Sequence, residues 1–219
     1  MKLIRRNLLM LVIFLVFLQV FAGCSGGDWH DVFTAEIMSD QLSDGHIRFT
    51  EGSPGTYDVI PGPSTLFFGI DESYREYRAF LDFPLDGSTG QDVVPLNAKI
   101  ESAILVVRIL RMDFASTVPT LLDLVTYTPR VLRSSDYNAL PLTFSNGSYA
   151  CRAFDLFSSD IGRDVAIDVT LLMREVQARG LSEFQVRFCL DFIPGADGFV
   201  GVDDSVAFTA PLLVVRYYF

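Results

Sequence analysis

The segment AKIESAILVVRIL, residues 98–110, does most to limit what this chain can become. From Ala103 to Val107 both alternating positions are apolar, and a strand without a polar face has to be covered on both sides. It belongs at the centre of a sheet that packs on another layer. Shorter candidate strands surround it at 35–38, 47–50, 66–70, 75–83 and 121–127, separated by turn-forming residues. The stretch FQVRFCLD (184–191) alternates Phe184, Val186, Phe188 and Leu190 against Gln185, Arg187, Cys189 and Asp191, the signature of a half-buried strand. LLVVRYYF (212–219) reads as a last strand. In PLTFSNGSYACRAF (141–154), Asn146-Gly147 stands between two apolar-rich runs, which predicts a hairpin with a type I′ turn and φ > 0 at both central residues.

One segment reads as helix, DVTLLMREVQARG (168–180). Asp168 or Thr170 can cap it, Glu175 and Arg179 are four residues apart, and Gly180 suits the position just past the end. The expected fold class is therefore all-β: a jelly-roll-type β-sandwich of roughly nine or ten strands with one short helix. A single domain over 35–219 accommodates all of it.

The first 34 residues follow different rules. Lys2, Arg5 and Arg6 precede a run from Leu8 to Ala22 that is apolar except for Gln19. This is the charged region and hydrophobic region of an export signal, and it is shorter than the ~20 apolar residues of a membrane-spanning helix. The run ends in Phe21-Ala22-Gly23-Cys24. That ending resembles the bacterial lipobox, with Phe21 where the pattern usually has Leu, Val or Ile. The resemblance implies cleavage after residue 23 and lipidation of Cys24; the alternative is an ordinary secretory signal followed by a disulfide-forming cysteine. Residues 24–34, with Ser25, Gly26 and Gly27, read as a flexible tether. Ser25 resembles the arrangement that permits sorting to the outer membrane, so localisation there is expected over the inner membrane.

The whole chain has a formal charge of −10, and loss of the three basic residues of the leader takes it to −13. Such a surface repels phosphate backbones, which excludes nucleic acid as an expected partner. Because the leader is bacterial in type, Asn146-Gly147-Ser148 is taken as a turn and not as a glycosylation site. Cys151 and Cys189 either pair, as exported cysteines can, or are two small buried hydrophobes.

The order of REYRAFLDFPLD (75–86), LNAKIESAILVVRIL (96–110), VAIDVTLLMREVQARG (165–180) and APLLVVRYY (210–218) resembles the DNRLRE family, β-sandwich modules of cell-surface proteins related to carbohydrate-binding modules. The shared features are an Arg-x-x-Leu-x-Phe strand, an Ala-x-Leu strand, an Asp-Val-Thr helix start and a Pro-x-Leu-x-Val-x-Tyr end. Ser205-Val206-Ala207 stands where the family often has a Ser-Arg-Glu-like triplet, and Tyr137 lies in the loop where it often has tryptophan. The resemblance implies a non-catalytic surface module that binds polysaccharide or supports envelope assembly.

Catalytic groups are sparse. His30 and His46 are the only histidines, without a Gly-x-Ser-x-Gly elbow or a Cys-His pairing around them. Zinc lacks ligand spacing. Hydrolysis by a pair of carboxylates has no sequence signature and stays as an alternative. Asp197, Asp203 and Asp204 lie in GADGFVGVDDS (195–205), where a Ca²⁺ site competes with a solvated acidic loop; no other cofactor is expected. Tyr57, Tyr137 and Tyr149 fall in or beside loops and are the candidate sugar-stacking aromatics. The functional expectation is a lipid-anchored envelope protein that binds glycan. Its alternatives are a structural or assembly lipoprotein with protein partners, and an uncharacterised hydrolase.

Overall fold

A computed structural model describes residues 31–88, 92–191, 198–206 and 208–219. The leader, Cys24, the tether up to His30, and Asp197 lie outside the described residues. Val32–Phe219 forms one unit, separate from the residues before it, and the description below concerns that body.

Its strands are β1 (Phe33–Met38), β2 (Gly45–Thr50), β3 (Thr56–Pro61), β4 (Leu66–Ile70), β5 (Glu76–Pro84), β6 (Lys99–Asp113), β7 (Thr117–Leu124), β8 (Cys151–Phe157), β9 (Asp164–Asp168), β10 (Glu183–Leu190), β11 (Phe199–Val202) and β12 (Leu212–Tyr218). The helix among the described residues is α1 (Thr170–Arg179). The class is all-β, as expected, with more strands than expected. The additional ones are poorly marked by pattern: β3 is largely exposed and β11 has four residues.

All pairings are antiparallel, and the network curls on itself in the order β1-β12-β6-β11-β4-β5-β10-β7-β8, with β2 and β3 joined to β5 and β9 joined to β6. The central position predicted for 98–110 is observed. β6 runs for 15 residues; its first half pairs with β12, its last five residues with β11, and Ile104–Arg108 pair with β9 on the opposite edge. β11 and β12 thus lie end to end along one edge of β6, interrupted by the excursion 203–211. Fully buried side chains, among them Leu66, Phe68, Leu81, Phe83, Leu105, Ile109, Phe184 and Phe188, fill the space inside the curl.

α1 lies over the beginning of β6 through Leu172, Met173 and Val176, while Arg174 donates to the carbonyls of Ile100 and Glu101 at 3.0 Å. Asp168 accepts from the backbone N–H of Thr170 at 2.9 Å and from its hydroxyl at 2.6 Å. Glu175 and Arg179 are 2.7 Å apart, and Gly180 takes a left-handed conformation with φ 63°.

Two local expectations are corrected. The 141–154 hairpin closes through a three-residue loop, with Gly147 N–H donating to the Phe144 carbonyl at 2.9 Å and positive φ at Gly147 but not at Asn146. This is a type I turn followed by a left-handed glycine; the Asn146 side chain instead accepts from Ser148. β10 is buried on both faces, not one. Its polar side chains are covered because the segment after β7 folds back over them. Gln185 accepts from the Tyr127 N–H at 2.8 Å, and Arg187 donates to the carbonyls of Tyr137 and Ala139, both at 2.9 Å. Ile47, Phe80, Val125, Tyr127 and Tyr137 make a second, smaller core beneath this cover.

Cys151 and Cys189 are free thiols. β7 runs between their strands, with Cys189 opposite Leu121 and Cys151 opposite Asp123, so two strand spacings of ~4.8 Å separate them. That is beyond disulfide reach, and the pairing alternative is not realised. Burial, together with the nearby Asp123, pushes the Cys189 thiol up to about 12.

Candidate functional site

β4 carries Leu66-Phe67-Phe68, and a strand cannot bury three consecutive side chains on one face. Leu66 and Phe68 go to the core, so Phe67 turns outward. β11 does the same, with Val200 and Val202 turned to the core and Phe199 to the opposite face, where neighbouring side chains cover its ring to 6 % exposure. Phe67 and Phe199 stack there, ring centroids 5.0 Å apart with planes 14° from parallel. Gly69 makes this possible: it sits at φ 104°, and a Cβ on it would collide with the carbonyl of Gly198. Ile70 N–H bonds to that same carbonyl at 2.8 Å. Without a side chain at 69, the residue before Phe199 can lie directly on β4.

Tyr77 from β5 meets the Phe199 ring edge-on at 5.0 Å, and His46 from β2 meets Phe67 edge-on at 5.4 Å. Around these rings opens a cleft of about 540 Å³, rimmed by Arg48, Arg75, Arg111, Asp71 and Phe114. Each arginine already has an acidic partner. Arg48 reaches Asp58 at 2.7 Å and Arg75 reaches Asp71 at 2.6 Å, while Arg111 pairs with Asp113. Arg111 also lies 5.5 Å from the centroid of Phe199.

The titration of the lining follows from these contacts. Burial, and then the Arg48 charge, lower His46 to about 4, so its imidazole is neutral near pH 7, and its buried Nδ1 has no hydrogen-bond partner. Burial alone would raise Asp71, but it accepts from the Arg75 side chain, the N–H groups of Arg75 and Ser73, and the Tyr77 hydroxyl, and these hold it below the ordinary carboxylate range. The cleft therefore offers paired donors and acceptors beside flat apolar rings. A sugar ring asks for the same combination: hydroxyls that both give and take hydrogen bonds, and C–H faces that stack.

The tyrosines singled out in the sequence are elsewhere. Tyr57 and Tyr137 do meet, at 5.1 Å between centroids, and the Tyr57 hydroxyl accepts from Asn138. Tyr137, however, is 3 % exposed. It is packed under Arg78, whose guanidinium carbon is 4.0 Å from its centroid, so it has no free face for a sugar. Tyr149 is exposed on the separate 143–149 hairpin. The three do not make one platform. His46 is buried in the wall of the cleft.

The acidic residues of the proposed calcium loop also diverge. Asp203 is occupied by the Ser205 N–H, the Ser205 hydroxyl and the Thr209 hydroxyl, at 3.1, 2.6 and 2.6 Å. Asp204 is fully buried and faces Asp44, which is also buried; Oδ2 of each accepts no hydrogen bond. Among the described residues no group of three or more His, Cys, Asp or Glu is arranged to hold a metal ion. Burial, with the like charges of Asp203 and Asp40, pushes Asp204 up to about 7, and burial with the Asp204 charge raises Asp44. On the neighbouring strands, burial and the charge of Asp82 push Glu183 up to about 8.

No protein-family model matches this chain, and no similar curated protein is found.

Proposed function

We propose that this is a lipid-anchored protein of the bacterial cell envelope whose body, a jelly-roll-type sandwich, binds glycan without altering it. The anchor reading rests on Cys24 at the end of the leader, and the outer-membrane assignment on Ser25. The binding reading rests on one observation: the stacked pair Phe67–Phe199 in a cleft rimmed by Arg–Asp pairs. Because each rim guanidinium is already neutralised, the ligand this chemistry favours is a polyhydroxylated one without high charge. Asp71, held ionised by its donors, is a poor proton donor for glycoside cleavage, which favours binding over hydrolysis.

The test is a glycan array probed with the mature chain, with and without Ca²⁺, followed by titration of the best ligand. Phe67→Ala and Arg111→Ala should each weaken binding at least about tenfold, or ~1.4 kcal/mol, while Tyr149→Ala should leave it unchanged. Binding to no glycan, or equal binding by both cleft variants, rejects the reading and returns the protein to an envelope-assembly role.

A further inference from the structure

At the opposite end of β6 from the cleft, the inner face of the sheet runs past the edge of the core. Phe33 pairs with Tyr217 across β1 and β12, in line with the buried pair Ala35 and Val215. Phe33 is nonetheless 45 % exposed and Phe219 is 55 % exposed. The three rings form one cluster: Phe33 stacks on Tyr217 at 5.7 Å and meets Phe219 edge-on at 5.7 Å, and Tyr217 meets Phe219 at 5.9 Å. Exposed Val32 precedes it in the chain, and exposed Val93 adjoins it, its carbonyl 3.5 Å from the Tyr217 hydroxyl. Lys99, the only lysine outside the leader, lies at the same end with its ammonium 5.7 Å from the Tyr218 ring, and the carboxylates nearby are engaged, Asp92 with the Glu36 N–H and Glu101 with Arg216.

Exposed phenylalanines beside a tyrosine with its polar tip and a cation on a flexible stem are side chains that settle at the boundary between headgroups and acyl chains. We infer that this end of the body, around Phe33, Tyr217 and Phe219, lies against the bilayer interface and holds the cleft away from the membrane. The inference rests on lipidation of Cys24. Phe33 follows Cys24 by nine residues, which can span at most about 30 Å. Acyl chains on Cys24 would keep the aromatic end at high effective concentration beside the headgroups, where a weak apolar patch is enough to bind. The cleft cannot compete for that position. From Lys99 to Asp113, which pairs with Phe199, β6 advances fourteen steps of ~3.3 Å, close to 45 Å in all.

The test places a single indole at each end. The mature lipoprotein carrying Trp29→Phe and Phe219→Trp is reconstituted in phosphatidylethanolamine–phosphatidylglycerol vesicles whose acyl chains are brominated near the carbonyl. A second preparation carries Trp29→Phe and Tyr74→Trp, since Tyr74 is 87 % exposed on the loop that borders the cleft. A side chain inserted ~5–10 Å into the boundary lies against the bromines, so the 219 indole should lose more than about half of its fluorescence relative to unbrominated vesicles, and the 74 indole should not change. If Phe219→Trp does not fold, Phe33→Trp is read in the same way. Vesicle-bound protein in which neither indole is quenched, or both equally, overturns the inference and leaves the anchor intact. Protein with an intact Cys24 that stays off the vesicles overturns the anchor reading as well. A dimer in solution whose 219 indole is shielded without lipid assigns the patch to a second copy and also overturns the inference.

Discussion

Raising the pH from about 5 to about 8 should make this protein easier to unfold, a direction opposite to that of proteins whose native carboxylates are salt-bridged. The groups responsible are Asp204, pushed up to about 7, and Glu183, pushed up to about 8, each beside a buried carboxyl, Asp44 and Asp82. A carboxyl whose folded pKa exceeds its unfolded value binds its proton more tightly in the native state, so its stabilisation is complete below about pH 4 and is lost as pH rises toward the folded pKa. For Asp204, with a fully buried side chain, about three units at 1.36 kcal/mol each set a ceiling near 4 kcal/mol. Glu183 is partly exposed and adds less after screening. Carboxylates held low by hydrogen bonds, such as Asp71, Asp168 and Asp203, act in the other direction, but only below about pH 4. A net loss of about 3 kcal/mol between pH 5 and 8 would lower Tm by about 6–12 °C for a domain of this size. The assay is calorimetric Tm against pH, with Asp204→Asn as the control. The variant should show a shallower slope and exceed the parent in Tm at pH 8. A Tm that is flat or rises from pH 5 to 8, or an Asp204→Asn protein less stable than the parent at pH 8, would refute the reasoning.

Further substitutions probe the sheet that carries the cleft. Arg187 and Asp123 are 2.6 Å apart with side chains 5 % and 3 % exposed. Arg187→Met strands a buried carboxylate and two carbonyls, so urea unfolding should show a loss of about 3–5 kcal/mol, partly recovered when Asp123→Leu is added; a double variant no better than the single one contradicts this. Gly69→Ala should both destabilise the fold, by about 1–3 kcal/mol of backbone strain before the collision with Gly198 is counted, and weaken glycan binding by displacing Phe199. Gly147→Ala, at φ 84° with nothing within 4 Å of the new methyl group, shares the strain without the collision and should bind like the parent. Equal affinities for all three proteins would separate Gly69 from the site.

What could be seen in the sequence followed from local periodicity. The doubly apolar run at 103–107 marks a central strand because burial on both faces leaves a local trace, and α1 announces itself by Gly180 and the Glu175–Arg179 pair. β10 misled because Arg187 and Gln185 look solvent-facing wherever their partners are distant in sequence; Asp123 and the carbonyls of residues 137 and 139 arrive only with the tertiary fold. The same limit hid the cleft. Leu66-Phe67-Phe68 holds a usable clue, since one of three consecutive apolar residues on a strand must face out. Nothing local says that Phe199 and Tyr77 will meet it. Tyr57, Tyr137 and Tyr149 were conspicuous as loop aromatics, yet an aromatic beside a loop is as easily a lid on a small core, which is what Tyr137 is.

On the proposed reading, the long strand β6 gives the two ends of the body different jobs. Its start lies beside the entry of the tethered chain, with Lys99 opposite Tyr218, and its finish lies in the cleft, with Arg111 on the rim. Hydrogen bonding to β12 and then β11 along one edge ties the two ends together, with register shifts at Arg216/Tyr217 and Gly201/Val202 and a gap at the 203–211 excursion. That excursion carries Asp204 to Asp44, the buried pair on which the expected pH dependence of stability rests. If the aromatic end rests on a bilayer as inferred, a shorter central strand would leave the cleft close to the headgroups, where a polymeric glycan approaching from outside would meet the bilayer before Phe67. Fourteen steps of ~3.3 Å give β6 a length of at most about 45 Å, more than the ~30 Å that nine fully extended residues from Cys24 to Phe33 can span, so on the proposed reading the strand, more than the tether, would set how far from the membrane the ligand is held.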